Sequence, residues 1–351
     1  MKKAIIAMSG GVDSGVAAYL CKNLGYECIG ATMKLYNGYD DAESTCCSLS
    51  DIEDARSICD RLDIPHYVFN FTEDFDAKVI KKFIASYETG STPNPCIDCN
   101  RYLKFEKLFH RMKELGYDYV VTGHYARIEK QGNRFLLKKA VDSTKDQSYV
   151  LYSMTQEQLA HTLFPLGEYE KSYARDIAQK NGFINARKHD SQDICFVPDG
   201  DYASFIERYM DKTYPCGEFI DKSGKVLGEH KGIIRYTIGQ RKGLGLSLPA
   251  PMYVCDKDME KNKVVLCSND ELFSSSLDAY DFNWIAYDNP PETIKAKARI
   301  RYNQKEEPAT ITVTGKDTVH IEFDSPQRAI AKGQAVVVYE GDIVLGGGTI
   351  K

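Results

Sequence analysis

No apolar run in this chain is long enough to cross a bilayer, so no membrane-spanning helix and no membrane partner are expected. The opening MKKAIIAMSGG starts with charge, but its apolar part is too short for a secretion signal and meets two glycines and Asp13. A cytoplasmic location is expected. Positive charge is not in excess: 45 Lys and Arg stand against 50 Asp and Glu, a net charge of -5. Any nucleic-acid surface must then be a local patch. The signature G-x-x-x-x-G-K-[ST] is missing, which excludes a Walker-type phosphate loop. A second Cys-x-x-Cys at zinc-finger spacing is missing too, which argues against a zinc ribbon. The eleven cysteines are odd in number and mostly scattered, a poor basis for a disulfide scaffold in a reducing compartment. There is no internal repeat and no low-complexity tail.

What is present is a rhythm. The 351 residues allow two or three domains. Ala4–Met8, Cys28–Met33, His66–Phe71 and Tyr119–Thr122 read as strands. Between them, Ala17, Leu20, Cys21 and Leu24, then Ile52, Ala55, Cys59 and Leu62, then Phe105, Leu108, Phe109, Met112 and Leu115 recur at helical spacing. Strand and helix in alternation predict a doubly wound parallel α/β sheet over residues 1–200. From Asp201 to about 275 the texture is glycine-rich without helical periodicity, which predicts a small β-rich central domain. From 276 to 351, the alternating runs Thr310–Thr314, His320–Phe323 and Ala335–Tyr339 predict an antiparallel barrel or sandwich.

The string AIIAMSGGVDSGVAAYL turns from strand to helix through Gly10-Gly11. Glycines let backbone N–H groups approach a ligand, and the positive end of a helix favours an anion. Ser9 and Ser14 add hydroxyls, and Asp13 can hold Mg2+ against phosphates. The plain alternative is a tight turn with Ser14 or Asp13 as N-cap. The full string S-G-G-V-D-S resembles the pyrophosphate-binding loop (PP-loop) of the ATP-pyrophosphatases, which split ATP into AMP and pyrophosphate. ATP is therefore expected along Ala7, Met8, Ser9, Gly10, Gly11, Val12, Asp13 and Ser14. Met33 and Gly123 follow strands at the same carboxyl edge, where doubly wound sheets bind ligands.

TPNPCIDCNRYLKF carries Cys96 and Cys99, and Cys195 sits in HDSQDICFVPDG. Together with AMSGGVDS, VTGHYARI, KDQSYVLY, YTIGQRKGLG, RIRYNQ and LGGGTI, these stretches make the chain similar, over nearly its whole length, to the bacterial tRNA-specific 2-thiouridylase (MnmA/TrmU) family. The resemblance implies a PP-loop domain, a small central domain and a C-terminal β-barrel. It implies thiolation of the wobble uridine (U34) of tRNA(Lys), tRNA(Glu) and tRNA(Gln). ATP first adenylates the oxygen on carbon 2, and sulfur then arrives from a persulfide donor protein onto Cys195. Cys99 matches the other catalytic cysteine, which attacks the persulfide and leaves a Cys99–Cys195 disulfide. The chain departs from the family at Cys96, where many members have Asp. Nearby Asp98 is not placed by the motif in the missing role. Cys96, Cys99 and Cys195 are alternatively three ligands for a [4Fe–4S] cluster. Cys46-Cys47 reads as structural, Cys21, Cys28 and Cys59 as core, and Cys216, Cys255 and Cys267 have no partner motif.

IKAKARIRYNQK alternates with period two, placing Lys295, Lys297, Arg299 and Arg301 on one strand face and Ala296, Ala298 and Ile300 on the other. A solvated barrel face explains that pattern, and so does an RNA backbone. By resemblance, tRNA contacts fall on Asn94, Pro95, Cys96, His124, Lys145, Asp146, Gln147, Arg301, Tyr302 and Gln334. A flipped-out uridine fits chemistry on a base otherwise shielded in a stacked loop. Arg235, Arg241 and Lys242 are further candidates for phosphate contact. Two other classes share features with this chain: another ATP-pyrophosphatase, of lysidine-synthetase or ligase type, and a non-enzymatic RNA-binding module.

Overall fold

A computed structural model describes residues 1–36, 49–186, 188 and 194–351. Strand β1, Lys3–Ala7, is buried on both faces, as a central parallel strand must be. Its side chains alternate: Ile5 and Ala7 enter one core, Ala4 and Ile6 the other. On one side β1 pairs with β2 (Glu27–Lys34), which pairs with β3 (His66–Asn70); on the other it pairs with β4 (Tyr119–Val121). All pairings are parallel, and a two-residue strand, Thr162–Leu163, completes the edge beyond β4. The predicted doubly wound sheet is present, with strand bounds within two residues of those read from periodicity.

Helices α1 (Val12–Asn23), α2 (Leu49–Arg61) and Lys171–Lys180 contribute to the core on the Ala4 and Ile6 face. The helical runs 72–88 and 95–114 contribute to the opposite one. Both of those contain wider, π-type turns, at Asp76–Ile80 and at Cys99–Lys107. Such turns are rare and concentrate at functional sites. The run 72–88 is a helix beyond those expected from the sequence.

The central region is β-rich as expected, but a helix, Tyr202–Met210, precedes its sheet and buries Ala203, Phe205 and Ile206. Four strands follow in the order Tyr253–Asp258, Lys263–Cys267, Gly217–Asp221, Val226–His230. Lys257, on the first of these, lies beside Gly90. Its ammonium is buried with no hydrogen-bond partner among the described residues. Burial pushes its pKa down to about 8, with Asp256 opposing. The unfolded chain therefore binds this proton more tightly than the folded one, and stability rises as pH climbs from about 8 towards 10.4. Lys257→Met keeps a similar shape without the charge. It is expected to add up to about 3 kcal/mol of stability at pH 7, seen as a higher melting temperature, and to flatten the gain on moving to pH 10. Melting curves at the two pH values check this.

Strands between Phe273 and Ile350 close a six-stranded antiparallel barrel, sealed where Phe273–Trp284 pairs with Ile343–Ile350. A barrel is formed rather than a sandwich. The barrel sheet also takes in a hairpin from far upstream, Ala126–Gln131 with Arg134–Lys139, through the pair Ile343↔Lys138. Asp342 ties the junction with ion pairs to Arg127 (2.7 Å) and Lys138 (3.2 Å).

Candidate active site

The glycine loop has the form its sequence requires. Gly10 adopts φ +70°, and a Cβ there would lie 2.5 Å from the Asp51 carbonyl oxygen. Gly11 is the N-cap of α1, and no side chain caps the helix. Neither Ser14 nor Asp13 is therefore the N-cap, contrary to the plain alternative. Ser14 Oγ instead donates to the Gly11 carbonyl (3.0 Å) and accepts from Ser9 N (3.2 Å), folding the loop upon itself. An uncapped helix start, framed by two hydroxyls, is suited to phosphate oxygens. Gly123, two residues beyond β4, lies against this turn: a Cβ on it would lie 2.8 Å from Asp13 C and Ser14 N. Met33 is buried at the end of β2. Gly123 thus touches the loop directly, while Met33 serves the core.

Asp13 is held from two sides. Lys171 Nζ donates to both carboxylate oxygens (2.8 and 2.7 Å), and Tyr125 Oη donates to one of them at 3.0 Å. Lys171 is 6% exposed and Tyr125 2%. Neither residue is among those expected from the sequence. Lys171 did leave a signal: it shares the buried stripe of its helix with Ala174 and Ala178, an odd register for a lysine. Asn185, also missed, donates to the Gly10 carbonyl (2.8 Å), and Lys188 pairs with Asp51 and Asp54.

Cys99 and Cys195 are both half-buried and border the same hydrophobic cluster. Phe196 packs edge-on against Phe75 (5.7 Å) and Phe83 (5.2 Å) of the run 72–88, and Leu103, one turn beyond Cys99, joins that cluster. Between Asn185 at the glycine loop and Cys195 beside this cluster lie only nine residues. His189–Asp193 of the Cys195 motif, and the pair Cys46-Cys47, lie outside the described residues. Asn94 caps the helix carrying Cys96 and Cys99 by accepting from Cys96 N (3.1 Å), with Pro95 at its first position. Cys96 is exposed and within electrostatic reach of the Tyr302 phenol. Among the described residues, no three Cys, His, Asp or Glu side chains are grouped to hold a metal ion, and Cys96, Cys99 and Cys195 form no such set. Asp98 is buried and paired with Lys82 (2.6 Å), yet burial still raises its pKa. It is committed to an ion pair.

The other thiols divide by surroundings. Burial pushes Cys21 and Cys59 up to about 12 and Cys28 up to about 11, so all three are inert core groups. Cys255 and Cys267, which have no motif, nevertheless hydrogen-bond each other.

Several of the expected RNA-contacting residues converge. Tyr302 Oη donates to the Asp146 carbonyl (3.2 Å), and Gln334 Nε2 donates to the Thr92 carbonyl (2.8 Å) just before Asn94. Gln147 N donates to the Tyr125 carbonyl (2.8 Å). Lys145 is half-buried in the same loop. His124 is buried, bonded through Nδ1 to Thr122 Oγ1 (2.7 Å), and packed near Phe105 and Phe164. Burial, with Lys104 nearby, holds its pKa well below the ordinary value, so the imidazole is neutral. The four-cation face is only half realised. Lys295 and Lys297 are exposed, but the strand stops at Arg299. Arg299 turns onto the Tyr302 carbonyl and Asp146 (3.7 Å), and Arg301 donates to the Ala329 carbonyl. Arg235 is paired with Glu207 (2.5 Å), whereas Arg241 and Lys242 are exposed.

A doubly wound domain with an uncapped glycine loop, a small mixed sheet and a barrel define a three-part enzyme class built on a HUP domain. Known families match the same three parts: a tRNA methyl transferase HUP domain over residues 2–199, a tRNA methyl transferase PRC-barrel domain over 203–268, and an aminomethyltransferase beta-barrel domain over 274–350. A tRNA-specific 2-thiouridylase MnmA of Clostridioides difficile (strain 630) is 52% identical over 354 residues, spanning 100% of this chain and 98% of that protein. One of Clostridium botulinum (strain Alaska E43 / Type E3) is 50% identical over 353 residues, spanning 100% and 98%. The chain belongs to the tRNA-specific 2-thiouridylase MnmA family.

Proposed function

We propose that this enzyme replaces the carbon-2 oxygen of the wobble uridine of tRNA(Lys), tRNA(Glu) and tRNA(Gln) with sulfur, in the cytoplasm, at the expense of ATP. The observation that carries the reading is the hydrophobic cluster that includes Ala7, just before the glycine loop, and is bordered by both Cys99 and Cys195. An ATP-splitting loop and two thiols within one domain are what that exchange requires. A methyl transferase, the activity in the domain descriptions, has no use for that combination.

In the first step the carbon-2 oxygen attacks the α-phosphate of ATP and pyrophosphate departs, leaving AMP on the base. The glycine loop supplies N–H groups to the phosphates. Asp13, whose carboxylate Lys171 and Tyr125 orient, would hold Mg2+ through a hard oxygen ligand, and the ion would neutralise phosphate charge there. Sulfur then arrives from a donor protein as a Cys195 persulfide. The Cys99 thiolate attacks the Cys195 sulfur, forming a Cys99–Cys195 disulfide and expelling HS⁻. HS⁻ adds to carbon 2, AMP leaves with the former oxygen, and an external dithiol reduces the disulfide. Contacts to the tRNA are assigned to Asn94–Cys96, Lys145–Gln147, Arg301, Tyr302 and Gln334. His124, being buried and neutral, supports the floor beneath them.

The test is mass spectrometry of the anticodon-loop uridine after incubation with ATP, Mg2+ and a persulfide donor. Exchange of one oxygen for one sulfur is expected, with pyrophosphate released only in the presence of tRNA. Purified anaerobically, the active protein is expected to hold no iron. Activity that tracks iron content would replace the persulfide route with the cluster.

A further inference from the structure

The carboxylate of Asp13 is not positioned by its own loop. Its two partners, Tyr125 and Lys171, both answer to the segment 142–147. Tyr125 exchanges two hydrogen bonds with Gln147, its N–H to Gln147 Oε1 (3.0 Å) and its carbonyl from Gln147 N (2.8 Å). Lys171 N donates to Asp142 Oδ2 (3.1 Å), and Asp142 in turn accepts from Thr144 N (3.0 Å) and, at its carbonyl, from Lys145 N (3.1 Å). The same segment faces the barrel through Asp146. That residue is buried, accepts from Ala140 N, Ser148 N and Ser148 Oγ, and meets Arg299 and Tyr302. A series of part-buried hydrogen bonds, joined through the Asp146–Gln147 peptide link, therefore runs from Tyr302 to Asp13.

We infer that Tyr125 and Lys171 are positioning residues that link RNA seated on the 145–147 and 301–302 surface to the geometry of Asp13. The inference rests on the functional reading above, and extends it. RNA that pulls on Gln147 or Asp146 shifts Tyr125, and through its hydroxyl the carboxylate that faces the phosphates. The two ligands then help each other, because a coupling between sites is reciprocal. ATP is bound weakly until the substrate tRNA has arrived, which limits idle cleavage.

The experiment measures binding of a non-hydrolysable ATP analogue with Mg2+ to the full chain, alone and with unmodified tRNA transcript. The transcript is expected to tighten nucleotide binding by about fivefold or more. Tyr125→Phe removes one oxygen from a buried ring and leaves its packing. In that variant the factor is expected to fall to within about twofold of unity, and the effect of nucleotide on tRNA affinity to fall with it. Lys171→Met is expected to behave alike, and Lys171→Arg to restore part of the factor. An undiminished factor in both Tyr125→Phe and Lys171→Met overturns the inference. So does equal loss of nucleotide affinity with and without RNA, which marks a purely structural support. Transcript that binds the parent without altering nucleotide affinity overturns the inference alone. A parent that binds nucleotide but no tRNA overturns the functional reading, and the inference falls with it.

Discussion

Cys195→Ser is expected to abolish sulfur transfer while tRNA-dependent pyrophosphate release continues. The two halves of the reaction use different groups. In the proposed reaction adenylation draws on the uncapped helix start and on Asp13, which Tyr125 and Lys171 hold. Thiol transfer needs a sulfur nucleophile, and a serine hydroxyl cannot carry a persulfide. Removing a covalent nucleophile lowers turnover by about three orders of magnitude or more. Cys99→Ser is expected to cost as much, since a persulfide without a resolving thiol does not release HS⁻. The measurement pairs pyrophosphate release with thiouridine content in the same tubes. A lysidine synthetase or ligase would form no thiouridine at all and would keep its own activity in both variants. Cys96→Ser separates the routes further: it is expected to keep substantial thiolation, and complete loss would point to three essential thiols and the cluster.

Gly123→Ala is expected to damage the first half-reaction in turn. The added methyl would lie 2.8–2.9 Å from Asp13 C, Ser14 N and Asp13 Cβ, two of them backbone atoms that cannot swing aside. Relief requires moving the start of α1 away from β4. A displacement of about 1 Å at a phosphate-binding turn typically costs about 100-fold in rate. The overpacking itself costs about 1–3 kcal/mol of stability. ATP affinity by titration, alongside a melting curve, tells the local shift from global unfolding. Unchanged ATP affinity would remove Gly123 from the site.

Much of the site was legible because it is local. Ser9 to Ser14 form a contiguous turn whose glycines and hydroxyls suggest phosphate binding from the sequence alone, and Ala4 to Ala7 alternate between two cores as a buried strand does. The β-barrel was legible from period-two patterning. The support beneath Asp13 was not. Lys171 follows Asp13 by 158 positions and Tyr125 by 112, and only the fold brings them to one carboxylate. The basic face was half legible: alternation fixes which side a residue takes, but not where pairing stops, and the strand ends at Arg299 before Arg301 is reached. The π-type turn opening at Cys99 leaves no periodic signature of its own.

The hairpin 126–139 has a consequence for biogenesis. Its second strand finds its other neighbour only in a segment that the ribosome makes some two hundred residues later. Until then Arg134–Lys139 presents an open edge, the kind of surface that recruits stray strands. Nascent or prematurely terminated chains should therefore be clients for chaperones and proteases, and a deletion of the barrel should yield insoluble protein rather than a trimmed enzyme.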